Sequence, residues 1–327
     1  MGKVLVTGAN GFVGSHICEE LSGSGFQVKA LVRRTSDLTN IRDLDLELAY
    51  GDLTDPDSLQ KAVAEVDAVV NNAGVTKALD VSLFDRVNFK GTENILKAVE
   101  ATKPGIGRFV QISSTAACGP APSDTPIDED HQPAPVTAYG RSKLAGERAV
   151  LAFKERCPVT ILRPTAVYGP RDKEMLSFFK TIDCHIKPTF GPGECYMNFT
   201  YVKDLARAAV RVLKADSPSG QVYFVAEGKS YSYSEAGDII SDVLGVRALD
   251  VHIPVSVMRA AGWISERLAN LRNKPSIFTA DKVNELTAKY WLVNPSKIER
   301  DLGFRSWTPF REGVEETVDW YREKGWL

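Results

Sequence analysis

Short apolar runs alternate with helical spacings through the first half of the chain. Val4-Leu5-Val6 is an apolar run of strand length, and Val13, Ile17 and Leu21 follow at helical spacing. Further strands are predicted at Val28 to Val32, at Leu46-Glu47-Leu48, at Ala68-Val69-Val70, over 109–112 and over 159–162. Helices are predicted between them over 57–66, 84–101 and 138–156. Most of these strands are nearly continuous in apolar residues, as strands covered on both faces are. The alternation predicts an α/β fold: a doubly wound parallel sheet that binds ligands at the carboxyl ends of its strands.

Beyond Gly169 the pattern loosens. Pro- and Gly-rich stretches appear at Lys187 to Glu194 and at Ser217 to Gly220, with helices predicted over 202–214, 234–244, 255–271 and 279–286. Residues 1–170 read as a dinucleotide-binding Rossmann domain, and 171–327 mainly as a smaller mixed substrate-binding lobe. Segments near 198–226 read as returns to the core domain. In the helix from Val255, the residues Val257, Ala261, Ile264, Leu268 and Leu271 share one face. That stripe fits a core-facing helix. It also fits an apolar lid or a membrane-surface contact, since Arg259, Arg267, Arg272 and Lys274 lie nearby.

Composition narrows the function classes. The 327 residues are 43% hydrophobic and 25% charged, with a formal net charge of -2. No broad cationic field is available for nucleic acid. The five cysteines show no CxxC pairing, and the four histidines do not cluster with them. Neither a disulfide framework nor a metal site is expected. Met1 runs straight into the first strand, and no apolar run reaches membrane-spanning length. A cytoplasmic protein without an integral membrane segment is therefore expected.

Candidate chemistry begins with Thr7-Gly8-Ala9-Asn10-Gly11-Phe12-Val13-Gly14, between the first strand and the first helix. Glycines there let backbone N–H groups approach a pyrophosphate at the helix N-terminus. A GxxGxxG by itself also fits a plain strand-to-helix turn. The second strand ends Val32-Arg33-Arg34, with no acidic residue at that point to take an adenosine ribose. Arg33 can pair with a 2′-phosphate, so NADP is expected, with NAD as the alternative; both arginines also fit a solvated loop. Asp52, after the third strand, could accept from the adenine amine.

Tyr139 and Lys143 stand at i and i+4 at the start of a helix, on one face. A neighbouring ammonium is expected to lower the phenol pKa and let Tyr139 exchange a proton with a substrate oxygen. Ser114 follows the fifth strand, where its hydroxyl could orient that oxygen. Each signal also has a plain structural explanation: a surface helix pair for Tyr139 and Lys143, a cap or turn for Ser114. Their conjunction on one predicted rim carries the reading.

The motifs TGANGFVG, NNAG (71–74), ISST (112–115), YGRSK and LRPTAVYGP (162–170) resemble the extended short-chain dehydrogenase/reductase superfamily across nearly the whole chain. Asn88 in VNFKGT and the stretch from Asn198 to Ala208 extend the resemblance. It implies Ser114, Tyr139 and Lys143 as catalytic residues, with Lys143 also holding the nicotinamide ribose. As cofactor contacts it implies Asp52, Leu53, Ala73, Gly74 and the backbone around Pro164 and Val167; with the loop residues Gly8, Gly11, Phe12, Val13 and Gly14 and with Arg33, Asn88, Tyr139 and Lys143, these make up the expected cofactor site. It also implies a homodimer through the helices over 84–101 and 138–156. The wording Asn71-Asn72 departs from the extended members toward the shorter ones.

Within the superfamily, nucleotide-sugar epimerases usually carry an asparagine where this chain has Ala166 and an arginine where it has Met197. Sugar 4,6-dehydratases carry an acidic pair where it has Thr115 and Ala116. The chain is more similar to 3β-hydroxysteroid dehydrogenases and dihydroflavonol reductases. The expected activity is an NAD(P)-dependent alcohol dehydrogenase or ketone reductase acting on a largely apolar small molecule. The alternatives are a sugar epimerase that oxidises transiently with bound NAD, and a non-catalytic nucleotide sensor.

Overall fold

The computed structural model describes residues 2–103, 105–190, 193–272 and 279–327. Seven strands form one sheet: β1 (Lys3–Thr7), β2 (Gln27–Val32), β3 (Glu47–Tyr50), β4 (Ala68–Asn71), β5 (Arg108–Ile112), β6 (Val159–Pro164) and β7 (Gln221–Val225). Their spatial order is β7-β6-β5-β4-β1-β2-β3, and every neighbouring pair is parallel. This is the predicted doubly wound Rossmann sheet. Helices α1 (Phe12–Gly23), α2 (Pro56–Val63), α3 (Gly91–Thr102), α4 (Ala138–Ala152) and α5 (Val202–Lys214) cover it.

Consecutive apolar residues serve opposite faces, because strand side chains alternate. Val4, Val6, Val70 and Val110 pack with Ile17 and Leu21 of α1 and with Leu205, Ala209 and Val212 of α5. Their neighbours Leu5, Val69 and Phe109 pack with Leu59 of α2, Ile95 and Val99 of α3 and Val150 of α4. A third cluster, built on Tyr168, Phe179, Phe199, Tyr231, Phe310 and Tyr321, lies outside the sheet.

Three expectations need correction. The helix predicted over 84–101 is continuous but not regular: Ser82–Phe84 is α-helical, Asp85–Lys90 is a π-helix, and α3 takes over at Gly91. A π turn holds an extra residue, which rotates the succeeding turns relative to a regular α-helix. Second, the helix Phe310–Glu323 lies outside the predicted elements, although its buried Phe310, Val314, Val318 and Tyr321 recur at helical spacing. Third, the stripe on the helix Val255–Arg272 does not face the core. Val257, Ile264, Leu268 and Leu271 are exposed, and the buried positions are Met258 and Gly262. Periodicity shows that a helix has an apolar face but not that a neighbour covers it. Lys274 lies outside the described residues, as does the side chain of Arg272.

Candidate active site

Strand order reverses at β1: β2 and β3 continue to one side and β4 to β7 to the other. The loops after β1 and β4 therefore diverge and open a crevice at their carboxyl ends. Gly8, in the first loop, has φ +64°, and a Cβ there would come 2.9 Å from Ala73 Cα in the second. A Cβ on Gly14 would lie 2.1 Å from the Gly8 carbonyl oxygen. Gly11 donates its N–H to that oxygen at 3.1 Å and precedes α1, which opens with Phe12 and Val13 and has no acidic residue in its first turn. The loop is thus a backbone cradle at the positive end of a helix, which suits a pyrophosphate.

The opposite wall is held by buried polar side chains. Thr7 Oγ1 donates to Asn71 Oδ1 at 2.7 Å and accepts the Ala73 N–H at 2.9 Å. Asn71 passes the network on to Gln111 at 2.8 Å. A Cβ on Gly74 would come 3.0 Å from Asn88 Oδ1 and 4.0 Å from Lys143 Nζ, so this loop reaches the predicted lysine. Asn88, in the π-helix, accepts the Val75 N–H at 2.8 Å and donates to Val75 O at 3.0 Å and Ser142 Oγ at 2.9 Å. One amide hydrogen goes to the loop and the other to α4, so Asn88 joins the two.

At the far end of the crevice, Arg33 stands exposed just past β2, its backbone N–H on Ser36 Oγ at 3.1 Å. The Arg34 guanidinium lies over the Tyr50 ring, 5.0 Å from its centroid. Asp52 Oδ1 accepts from the N–H and hydroxyl of Thr54 at 2.8 and 2.7 Å. Leu53 is buried, and its carbonyl accepts from Asn94 at 2.9 Å.

Thr137 caps α4 by accepting the Gly140 N–H at 3.0 Å. Gly140 lets the helix lie on the turn Thr115–Ala117, since a Cβ would fall 2.3 Å from Ala116 O. That approach brings Tyr139 opposite Ser114. The Ser114 hydroxyl accepts the Ala116 N–H at 3.1 Å and lies close enough to the Tyr139 phenol to act on its ionisation. Burial raises the phenol above its ordinary value, and the nearby Ser114 hydroxyl opposes the rise; the Glu285 and Glu174 carboxylates add to it. Burial lowers Lys143 to about 8, with Glu147 opposing. This corrects the expectation that the ammonium depresses the phenol. Lys143 Nζ donates to Ile112 O at 2.7 Å, and desolvation governs both groups.

Several supporting residues escaped the sequence reading. Ser113 turns inward and donates to Glu147 Oε1 at 2.5 Å, and Arg163 grips the same carboxylate through Nε at 3.0 Å and Nη2 at 2.7 Å. Glu147 is one turn beyond Lys143, so helical spacing was the available signal. Asp281 accepts the Ala138 N–H at 2.8 Å at the start of α4, a long-range contact without any local signature. Glu174 accepts from Thr76 Oγ1 at 2.7 Å and pairs with Lys77 at 3.2 Å, bridging the loop after β4 to the segment after Tyr168.

Pro164 ends β6, and Val167 lies in the short strand Ala166–Tyr168, parallel to Phe199–Tyr201. Ala166 is half-buried. Met197 packs in the aromatic cluster with Tyr168, Phe199, Tyr231 and Phe310.

A doubly wound parallel sheet with a glycine cradle at its reversal point defines a dinucleotide-binding α/β protein. The chain belongs to the NAD dependent epimerase/dehydratase family, whose model matches residues 4–226, and so to the extended short-chain dehydrogenase/reductase enzymes. It is 30% identical over 327 residues to the ceramide reductase of Caulobacter vibrioides, covering 100% of this chain and 96% of that protein. It is 29% identical over 334 residues to the 2-alkyl-3-oxoalkanoate reductase of Stenotrophomonas maltophilia, covering 95% and 97%. The structure of MoeE5 in complex with UDP-glucuronic acid and NAD matches with a TM-score of 0.79 at 26% identity, covering 99% of this chain and 100% of that one. Two reductases and a nucleotide-sugar complex thus stand at similar identity, and likeness alone selects no substrate. Among the described residues, no helix is long and apolar enough to cross a membrane.

Proposed function

We propose that the protein is an NADP(H)-preferring ketone reductase for a largely apolar substrate. The observation that carries this reading is the gathering of Ser114, Tyr139 and buried Lys143, whose Nζ donates to Ile112 O, at the carboxyl rim of β5. A bound nicotinamide dinucleotide supplies the hydride. The loop Gly8 to Gly14, with Phe12 and Val13, would hold the pyrophosphate. Asp52 and Leu53 would meet the adenine, and Arg33 a 2′-phosphate. Ala73, Gly74, Pro164 and Val167 would line the nicotinamide end, with Asn88 fixing that wall.

Tyr139 acts as the acid. Its raised pKa keeps the proton on the phenol at neutral pH, ready for the carbonyl oxygen. Ser114 holds that oxygen in place. Lys143 orients the ribose and offers positive charge as the phenolate develops. Residues 171–327 form most of the substrate lobe, and the protein is a homodimer by family analogy. Two positions favour a reductase over a sugar epimerase: Met197 sits among aromatic rings where those epimerases usually carry an arginine, and position 166 is an alanine where they usually carry an asparagine. The names of the two reductase relatives point the same way.

The test is a cofactor-coupled screen of ketones and alcohols, with NADPH and NADH side by side and nucleotide sugars as controls. Net NADPH consumption with an apolar ketone is expected. Tyr139→Phe should lower turnover by about 10²- to 10⁴-fold while cofactor titration stays unchanged. Tightly retained NAD with isomerised sugar would sink the reductase reading. A preference for NADH of roughly ten-fold, about 1.4 kcal/mol, would reject the assignment of Arg33.

A further inference from the structure

The helix Val255–Arg272 (α6) presents an uncovered apolar face. Val257, Ile264, Leu268 and Leu271 are between 44% and 83% exposed, and Trp263 is 57% exposed beside them. With Ala261, also exposed, the aliphatic residues recur at spacings of four and three, which keeps them on one side of the helix. The other side is the packed one: Met258 and Gly262 are buried. A contiguous apolar face of this kind calls for something to cover it.

Charge indicates what covers it. By sequence, α6 carries Arg259, Arg267 and Arg272 against the single Glu266, in a chain whose net charge is -2. Arg267 lies over the Trp263 ring, 5.1 Å from its centroid, at the border of the apolar face. A guanidinium stacked on an indole suits a water–lipid boundary, where apolar bodies sink and charged heads stay wet. Two copies of a net-positive helix would repel one another, whereas an anionic surface attracts either copy.

The position of the helix adds a reason. The next helix, α7 (Ala280–Leu286), packs against α6. Asp281 of α7 accepts the Ala138 N–H at the start of α4, one residue before Tyr139. The outer face of α6 and the candidate active site thus belong to one packed unit.

We propose that α6 is an interfacial helix that lays its outer face on an anionic phospholipid bilayer. Its 18 residues extend about 27 Å along that surface. The proposal stands independently of the reductase reading, although a bilayer would present an apolar substrate beside the site.

The experiment is flotation of the full chain with vesicles of phosphatidylglycerol and phosphatidylcholine, and with vesicles of phosphatidylcholine alone. The chain is expected to float with the anionic vesicles, less so as salt rises. The double variant Ile264→Glu with Leu268→Glu should lose partition by roughly ten-fold or more, since it places charge in the face that would meet the acyl chains. Arg267→Glu should lose the preference for anionic vesicles. Tyr139→Phe should float like the parent, which separates docking from turnover. Circular dichroism and light scattering check the fold and mass of each variant. Failure to float with anionic vesicles, or equal flotation on phosphatidylcholine alone, overturns the proposal. So does a double variant that floats unchanged but turns a dimer into a monomer, because the face would then join two copies of the chain.

Discussion

Desolvation sets the protonation of the two groups at the centre of the site. Lys143 is brought down to about 8 from the 10.5 of a solvated lysine. Between those values the unfolded chain binds the proton that the folded chain has lost, so stability rises with pH across that window. Below about 8 the lysine is charged in both states, and its burial opposes folding in full. Lys143→Met removes that cost, and Gln111 Nε2 still donates to Ile112 O at 3.1 Å. In urea unfolding without cofactor, the variant is expected to be ~1–3 kcal/mol more stable at pH 7. The gap should close as pH approaches 10.5. Equal or lower stability at pH 7 would remove burial as the cause. If Lys143 serves as proposed, the same substitution should abolish turnover, trading stability against function.

Among the elements, α4 does the most positioning, and it does so by close approach. Glycine in a helix costs about 1 kcal/mol relative to alanine, so Gly140→Ala would gain that much from propensity alone. Against this, its Cβ would meet the Ala116 carbonyl at 2.3 Å, and backbone yields less readily than a side chain. Overpacking of this kind typically costs about 1–3 kcal/mol, so the clash outweighs the propensity gain. Gly140→Ala is expected to lower the denaturation midpoint and to cut turnover by withdrawing Tyr139 from Ser114. A midpoint above that of the parent would show that α4 can shift without strain. The π-helical turn Asp85–Lys90 plays a complementary part, because Asn88 reaches both the loop after β4 and Ser142 of α4.

For the whole molecule, the segment after Tyr168 is tied both to α1 and to the loop after β4. Arg171 donates to Ser15 at 3.1 Å and to Glu19 at 2.5 Å on α1. Despite the opposing effect of burial, bonds from His16 and Arg171 hold Glu19 down to about 2. Glu174 makes the second crossing, to Thr76 and Lys77. Partly exposed pairs contribute about 0.2–1 kcal/mol, so Glu174→Ala should raise KM by roughly 1.4- to 5-fold with kcat nearly unchanged. Steady-state kinetics check this. An unchanged KM would show that the crossing does not close the site, and a collapse of kcat would give Glu174 a part in the chemistry itself.

Local pattern was enough for the sheet, the glycine loop and the pair Tyr139 and Lys143. Each rests on neighbours in sequence: apolar runs such as Val4-Leu5-Val6, a strand-to-helix turn, and an i, i+4 helical spacing. Ser114 was legible for the same reason, as the residue that leaves β5 at its carboxyl end. Long-range contact decided the rest. The inward turn of Ser113 depends on Glu147 and Arg163, and the cap on α4 comes from Asp281, 143 positions away. Protonation also lay beyond the sequence, because it depends on how much water the packed lobe excludes. The stripe on α6 shows the division most directly. Its period was visible as spacing, but whether protein, solvent or lipid meets it depends on what the rest of the chain packs nearby. The tertiary structure left that face uncovered.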